Sequence, residues 1–512
     1  MSRSGLSRRA LLASAGAGAV SAVIGWNTAT EAWATEADTG AGTGTGAGTA
    51  TGADIARLPA LDGTVTLQGA GLERFATDFG HLVTATPRAV LRPGSVRDVQ
   101  QLVAFARRHR IPVAVNGQSG DLAQLGEAGL ESHSSYGQAN PRGGVAIDAR
   151  GLSKVLSVRP GRAVVEAGAT WAQVTEAGLA AGWVPPVLTD YLHLTVGGTL
   201  SVGGIGGGVQ RHGMQVDNVL ELDVVTGTGE LVTASPTRNR ELFEAVLAGG
   251  GQVAVIVRAT LALVKVRERA HVFSLYYDDL DAYLADQEKV MAERRFDLQV
   301  GDVVRSEDGA RWRYKAELVA FADAGGAVDR AALLAGLRPV SSEVVEQSWR
   351  EYAFRVDGFA GYLRASGLWA LPKPWLSVFL PASAARAFMA RAAEVLTAAD
   401  LGAGLLLFYP YQRSKVRAPL AVLPGQEVGW HFDLLAFPGP GSDTAAMLER
   451  NRRLYDLAVE LGGKRYLIGA VPGMTGADWR RHYGGLWETV ARAKRRWDPA
   501  GILTPGQGIH AS

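Results

Sequence analysis

An α+β fold in two domains is predicted by three observations on this 512-residue chain. Residues 55–265 mix helical periodicity with short alternating strands, which suits neither an all-α nor an all-β domain. From residue 266 the composition changes to aromatic strands alternating with alanine-rich helices. The length and a 47% hydrophobic share suffice for one large core or two. The expected organisation is therefore a first domain over 55–265, a second over 266–474, and a closing segment, 475–512, that returns to the first.

At the N-terminus, Ser7-Arg8-Arg9-Ala10-Leu11-Leu12 precedes an uncharged alanine- and glycine-rich run and then Ala32-Trp33-Ala34, a small-x-small pattern suited to cleavage. Residues 1–34 thus look like a twin-arginine export signal, which implies a secreted or cell-envelope protein. The apolar run is short and mild for a spanning helix, so no stable membrane anchor is expected. Residues 35–54 alternate Thr, Gly and Ala with almost nothing to bury and read as a flexible linker.

Within the first domain, apolar residues at helical spacing follow Ser95 and predict a capped helix over 95–106, and Ile111-Pro112-Val113-Ala114-Val115 predicts a strand. A second helix is expected over 170–181, with Thr170 as its cap and Gly182 after it. The alternating residues 219–225, the turn Thr226-Gly227-Thr228-Gly229 and residues 230–234 predict a hairpin, and 253–265 is a further β-rich run. In the second domain, residues 272–277 read as an aromatic strand. Helices are expected over 383–399, capped by Ser383, and over 443–461.

The chain has no cysteine, which excludes disulfides, thiolate metal sites and thiol catalysis, and no metal site is expected. The net charge is +2, and Arg3, Arg8, Arg9 and Glu31 all lie in residues 1–34, so the remainder is neutral. A neutral chain has no electrostatic reason to bind nucleic acid or anionic membrane, so a small-molecule substrate is the expected partner.

The most informative segment is 190–201, which joins Asp190 and Tyr191 to Thr195, Gly197, Gly198, Thr199 and Ser201, followed by the glycine-dense residues 203–208. Glycines let backbone approach a ligand and expose amide donors to anionic oxygens, and the hydroxyls donate without adding charge. Beside them a carboxylate can remove a proton. The run lacks the G-x-G-x-x-G register of a dinucleotide turn, and on composition alone it also fits a surface loop, with Asp190 forming a turn.

Further motifs run in order along the chain: Ala76-Thr77-Asp78-Phe79-Gly80, His133-Ser134-Ser135-Tyr136-Gly137-Gln138-Ala139, and Thr189-Asp190-Tyr191-Leu192 running into 197–201. They continue through Arg211-His212-Gly213, 218–227, Asp498-Pro499 and Ile502-Leu503-Thr504-Pro505-Gly506-Gln507. Through these, and across nearly everything after residue 70, the chain resembles the cytokinin dehydrogenases, flavoproteins of the vanillyl-alcohol-oxidase class with a PCMH-type FAD-binding fold. The resemblance implies an α+β substrate domain beside the FAD domain, with Asp190 as the base that takes the substrate N–H proton. It also implies covalent attachment of FAD through His133. Neutral imidazole is a competent nucleophile, although a lone loop histidine is an equally ordinary feature. Gly117, Ser134, Gln138, Asp190, Thr195, Ser201, Ile256, Tyr466, Thr504 and Gln507 fall where relatives contact FAD. Trp375, Pro410 and Val300 fall on substrate-pocket segments, Pro410 within a pocket loop over 409–415, and Trp375 fits plain core as well.

Two departures stand out. The family has Arg-Gly-x-Gly directly before the histidine, whereas here residues 119–132 intervene between Asn116-Gly117-Gln118 and His133. Either the insertion loops out and His133 still reaches the flavin, or FAD is held noncovalently. At position 300 Val replaces a common Glu, so one polar substrate contact is missing. The activity implied is oxidative cleavage of N6-isoprenoid adenines to adenine and an aldehyde, with oxygen or a quinone as electron acceptor. The alternatives are an alcohol or sugar oxidase of the same class and an exported purine-binding protein without catalysis.

Overall fold

The computed structural model describes residues 23–27, 32–35, 55–306, 309 and 311–510. Most of the expected export signal and linker therefore lies outside the described residues. Those that are described pair as a small antiparallel sheet in which Val23–Asn27 lies between Ala32–Thr35 and Ile55–Arg57. The Trp26 and Trp33 rings meet edge to face at 5.3 Å within it, and the Ala32-Trp33-Ala34 pattern sits in the second strand. Among the described residues no helix is long and apolar enough to cross a membrane.

Residues from Leu61 onward form the second compact unit, built on three larger sheets. The first holds, in spatial order, Thr64–Thr66, Ala89–Arg92, Val145–Asp148 and Val113–Asn116, with the last three parallel. Helix Val96–His109 makes the crossover between Ala89–Arg92 and Val113–Asn116, burying Val99, Leu102, Val103, Phe105 and Ala106 on one face. Ser95 stands at the N-cap position as expected, but its side chain accepts no helix N–H. It donates its hydroxyl to Asp62 Oδ2 at 2.8 Å, and buried Asp98 takes the backbone N–H groups of Asp62, Gly63 and Gly94.

The second sheet is antiparallel in the order Leu231–Ala234, Val219–Thr226, Ala254–Ala262, Arg162–Glu166 and Val155–Arg159. The predicted hairpin is present, with Leu222 opposite Ala234 and Val225 opposite Leu231. Helix Trp171–Leu179 begins at Thr170, whose hydroxyl accepts from Gln173 N while the Gln173 side chain accepts from Thr170 N, a reciprocal capping box.

The third sheet has eight antiparallel strands and uses only residues after 268. Its order is Ser341–Ser348, Arg269–Tyr277, Trp312–Ala322, Leu298–Arg305, Leu405–Gln412, Val428–Leu435, Leu376–Pro381 and Lys464–Arg465. Helices Leu280–Glu293, Ala382–Val395 and Thr444–Glu460 contribute to the core on one face of this sheet, Phe388 of the second helix packing with Phe408, Trp430 and Phe432 of the strands. The expected caps divide here. Asp443 caps its helix by accepting from Ala446 N at 3.0 Å. Ser383 does not, because the helix starts one residue earlier with Pro381 at the cap position. Proline there presets φ and brings no donor to satisfy.

A separate core packs the first-domain residues Val165, Leu200, Leu222 and Ile256 together with Val300, Leu407 and Tyr409 from the eight-stranded sheet and Tyr466 just after its last strand. The chain end closes this arrangement. Val113 N donates to Ile502 O and Thr504 N to Val113 O, each at 2.8 Å. Buried Lys494 donates to Asp498 Oδ2 at 2.7 Å, Gln252 O at 2.8 Å and Leu503 O at 3.1 Å.

Candidate active site

One cavity of about 550 Å3 lies between the first-domain sheets and the open face of the eight-stranded sheet. That volume is in the range of small-molecule and cofactor sites. Its first wall is the segment singled out in the sequence. Thr195 stands at the N-cap of the short helix Val196–Val202, and Val196 N and Gly197 N donate back to Ala169 O and Ala167 O, each at 2.8 Å. Asp190, Tyr191, Thr195, Gly197, Gly198, Thr199 and Ser201 all border the cavity.

Part of the glycine density serves packing rather than ligand approach. A Cβ on Gly206 would stand 1.9 Å from Leu188 O, and one on Gly117 would stand 2.6 Å from Thr195 Oγ1. Two hydroxyls are also partly committed: Ser201 Oγ donates to Gly197 O at 2.7 Å, and Thr199 Oγ1 accepts Trp171 Nε1 at 2.7 Å. Tyr466 Oη accepts the N–H groups of Gly204 and Ile205 at 3.1 and 3.3 Å, which ties the second domain to this turn.

The structure brings Gly117, His133, Ser134, Gln138, Asp190, Thr195, Ser201, Ile256, Tyr466, Thr504 and Gln507 to the cavity, with Val300 and Trp375 from the pocket segments. Pro410 is the exception. Residues 405–412 form a strand rather than a loop, so side chains alternate between its two faces. Leu405, Leu407 and Tyr409 take the cavity side and Pro410 turns to the other.

The inserted residues close on themselves. Ser119 and Glu131 exchange backbone hydrogen bonds at 2.6 and 3.2 Å, and a helical turn, Leu122–Leu125, capped by Asp121, fills the excursion. Gly117 and His133 are thereby returned to the same cavity. The following turn is pinned by buried Asp78, which accepts from Ser134 Oγ at 3.0 Å, Gly137 N at 2.8 Å and Gly80 N at 3.2 Å. Burial pushes the Asp78 carboxyl up to about 6 despite those donors. Ser135 Oγ and Gln138 Nε2 donate to the carbonyls of Ile468 and Leu467, so Gln138 is already engaged across the cleft.

His133 stacks on Phe79 with ring centroids 3.9 Å apart, and Lys373 Nζ lies 4.4 Å from the centroid of the same phenyl ring. Burial, reinforced by the Lys373 and Arg364 charges and opposed by Glu131, lowers the His133 imidazole to about 3, so it is neutral at ordinary pH. Lys373 is itself fully buried, donating to Trp369 O at 2.6 Å and Leu371 O at 2.8 Å, and burial lowers it to about 8. Trp369, Trp375 and Phe437 surround Phe79 edge-on at 4.9 to 5.9 Å, forming an aromatic side to the cavity.

The second wall holds residues that the sequence reading missed. Asp302 Oδ2 lies 2.8 Å from Lys315 Nζ, which lies 3.2 Å from Glu317 Oε2. Glu317 Oε1 lies 3.5 Å from Arg355 Nε, and Arg355 Nη2 donates to Asp190 Oδ1 at 2.5 Å. Signs alternate along the whole string. Strand register aligns it, since Asp302 stands opposite Lys315 and Val300 opposite Glu317 on adjacent strands. A carboxylate thus stands directly across from Val300. Burial works against the Lys315 ammonium, but Asp302 and Glu317 outweigh it and raise its pKa. Glu317 is likewise opposed by burial yet held below its usual range by Arg355 and Lys315.

Beyond this string, burial raises the Asp433 carboxyl to about 7, with the Ser377 hydroxyl donating to it and the Asp190 charge adding to the rise. His431, lowered to about 3 by burial, has no hydrogen-bond partner on either ring nitrogen. The available sequence signal was the polar residues Arg313, Lys315 and Glu317 at period two on an otherwise apolar strand. Arg355 follows a short helix and carried no local signal.

The donor set fits a flavin nucleotide. Glycine backbone and hydroxyls on one wall suit a diphosphate, and an apolar aromatic side suits a flat heterocycle. Both amide atoms of Gln507 are buried without a partner, which is the mark of a polar group aimed at a ligand.

Comparison with known proteins agrees. Residues 87–235 match a family described as FAD binding domain, and residues 328–510 match one described as cytokinin dehydrogenase 1, FAD and cytokinin binding. An uncharacterized oxidoreductase, ORF5 in the fasciation locus of Rhodococcoides fascians, is 38% identical over 84% of this chain and 95% of its own length. Cytokinin dehydrogenase 1 of Oryza sativa subsp. japonica is 35% identical over 84% of this chain and 88% of its own. Among solved structures, 6-hydroxy-D-nicotine oxidase from Arthrobacter nicotinovorans superposes with a TM-score of 0.65 at 20% identity, covering 86% of this chain and 96% of that one, which shows a common fold. The chain belongs to the cytokinin dehydrogenase family and is an FAD-dependent oxidoreductase.

Proposed function

We propose that the protein oxidises the CH–NH bond of N6-substituted adenines, releasing adenine and an aldehyde. The carrying observation is Asp190, a carboxylate at the cavity whose Oδ1 is engaged by Arg355 while Oδ2 has no protein donor among the described residues. A carboxylate so placed can take the substrate N–H proton as hydride leaves the neighbouring carbon. The imine formed from the substrate then adds water and divides into amine and aldehyde. Bound FAD supplies the hydride acceptor. Trp375, Phe437 and Leu407 offer apolar contact for an isoprenoid tail, and the name of the 35%-identical rice relative supports the adenine class.

Gly117, Thr195, Ser201, Ile256, Tyr466, Thr504 and Gln507 would hold the cofactor. His133 would attach it covalently, because its neutral imidazole has the nucleophilic form that attachment requires. Reoxidation would use oxygen or a quinone, and export by the twin-arginine route would follow cofactor loading.

Mixing the holoprotein anaerobically with isopentenyladenine tests the function: the flavin absorbance should bleach, and bleaching should collapse in Asp190→Asn. No bleaching by wild type, or undiminished bleaching by the variant, defeats this reading. Precipitation in acid tests the linkage. A yellow pellet from wild type and a colourless one from His133→Ala is the expected pair, and a colourless wild-type pellet overturns the covalent attachment. The rival reading, an alcohol or sugar oxidase, is favoured only by apolar Val300 at the cavity, and bleaching by alditols but not by adenines would establish it.

A further inference from the structure

We infer that Arg355 is a positioning residue for Asp190, and that Glu317 is the anchor that makes it one; this rests on the reading of Asp190 as the proton acceptor. Arg355 lies just beyond the short helix Trp349–Ala353 and reaches back into the cavity. It is fixed at four points, one of them a bond from its Nη1 to Tyr352 O at 3.3 Å. Its Nη2 donates to Asp190 Oδ1 at 2.5 Å, its Nε lies 3.5 Å from Glu317 Oε1, and its guanidinium carbon lies 4.2 Å from the centroid of the Tyr352 ring. Tyr352 closes the arrangement by donating its hydroxyl to the same Glu317 oxygen at 3.2 Å. A planar guanidinium held in this way has one orientation, and it passes that orientation to the carboxylate it binds.

The consequence lies in which oxygen of Asp190 is free. With Oδ1 occupied, the carboxylate cannot rotate to present either oxygen at random, and Oδ2 is left for the substrate N–H. Glu317 shares the guanidinium with Asp190, and its own charge is balanced in turn by Lys315, which Asp302 also contacts. The string therefore supplies geometry to Asp190 without giving it a whole counter-charge. No proton or electron needs to pass along it.

The test compares wild type with Arg355→Met, Arg355→Lys and Glu317→Gln, each loaded with FAD and mixed anaerobically with isopentenyladenine. Flavin content and thermal midpoint are measured beside the rate of reduction. Mispositioning of a reacting group by about 1 Å costs about 10²-fold, so Arg355→Met should lower the limiting reduction rate about 30- to 100-fold while half-saturation changes less than about threefold. Arg355→Lys should recover part of that loss, and guanidinium ion added to Arg355→Met should recover part as well, neither of which a purely structural defect would allow. Glu317→Gln should lower the same rate without weakening saturation, and combined with Arg355→Met it should add little further loss, because the two residues act as one unit.

An Arg355→Met rate within twofold of wild type overturns the inference. So does a loss that neither Lys nor guanidinium restores, or one expressed wholly in half-saturation. Wild type that is not bleached at all strikes the proposed function, and this inference with it. Bleaching of wild type with an unimpaired Arg355→Met strikes the inference alone.

Discussion

The two walls of the cavity are made by different means. The first-domain wall is contiguous in the chain: residues 190–201 supply a carboxylate, hydroxyls and backbone amides within a single turn and a short helix. The wall from the eight-stranded sheet is assembled across strands, with Asp302, Lys315, Glu317 and Arg355 drawn from three separate elements into one line of alternating charge. A wall built on local backbone tolerates changes in side chains but not the addition of a Cβ. A wall built on register tolerates neither an unpaired charge nor a shift by one residue, which would turn every side chain to the other face.

The contrast can be tested in descending order of effect. Asp190 joins the walls, and Asp190→Asn should reduce the rate of flavin reduction by about 10³-fold with FAD still bound, since a positioned base contributes about 10²- to 10⁴-fold. Stopped-flow absorbance reads it, and retention of more than a tenth of the rate would separate the base from this carboxylate.

Lys315→Met removes the cation that bridges Asp302 and Glu317 and leaves two largely buried carboxylates without it. Breaking such a pair costs about 3 to 5 kcal/mol, to be seen as a fall in chemical-denaturation stability. An unchanged midpoint would show that water, not Lys315, compensates the carboxylates.

Asp433 gives the pH dependence. Its folded carboxyl titrates at about 7 because of burial, above the ordinary 3.8, so the folded state binds the extra proton. The associated stability is complete below about 4 and is lost as pH rises through about 7. Asp433→Asn should lack that decline, and the difference between wild type and variant across the window is at most ~4 kcal/mol. A difference that grows in the opposite direction would contradict the burial argument.

The smallest effect concerns the first wall. Gly206→Ala would push a Cβ to within 1.9 Å of Leu188 O, so a loss of ~1 to 3 kcal/mol and a drop in FAD content are expected. A neutral result would mean that the glycine turn is slack.

The same division explains what could be read from the sequence. Helix 170–181 with its Thr170 cap, the 219–234 hairpin and the Asp443 cap follow from neighbours within a few residues, and the structure contains each of them. Grouping Asp190 with Thr195 and Ser201 was legible for the same reason, and bringing His133 beside them required the family resemblance. What failed to show depends on parity or on distant pairing. Pro410 was placed at the pocket by its segment, whereas strand alternation gives that role to Tyr409. Val300 looked like a lost polar contact because its cross-strand neighbour, Glu317, lies seventeen positions on. Moreover, Val300, Asp302, Lys315 and Glu317 all fall between the two matched family segments, 87–235 and 328–510. Ser95 and Ser383 have the chemistry of caps, but the Ser95 hydroxyl is spent on Asp62 although the residue holds the N-cap position, and Pro381 holds that position in place of Ser383.

One side of the cavity is supplied from far along the chain. Thr504 and Gln507 stand at the cavity, and Leu503 lies beside Val113 through a parallel bridge. Removing residues 503–507 would therefore take away one side of the cavity together with its tie to Val113, and protein altered in this way should purify with less flavin.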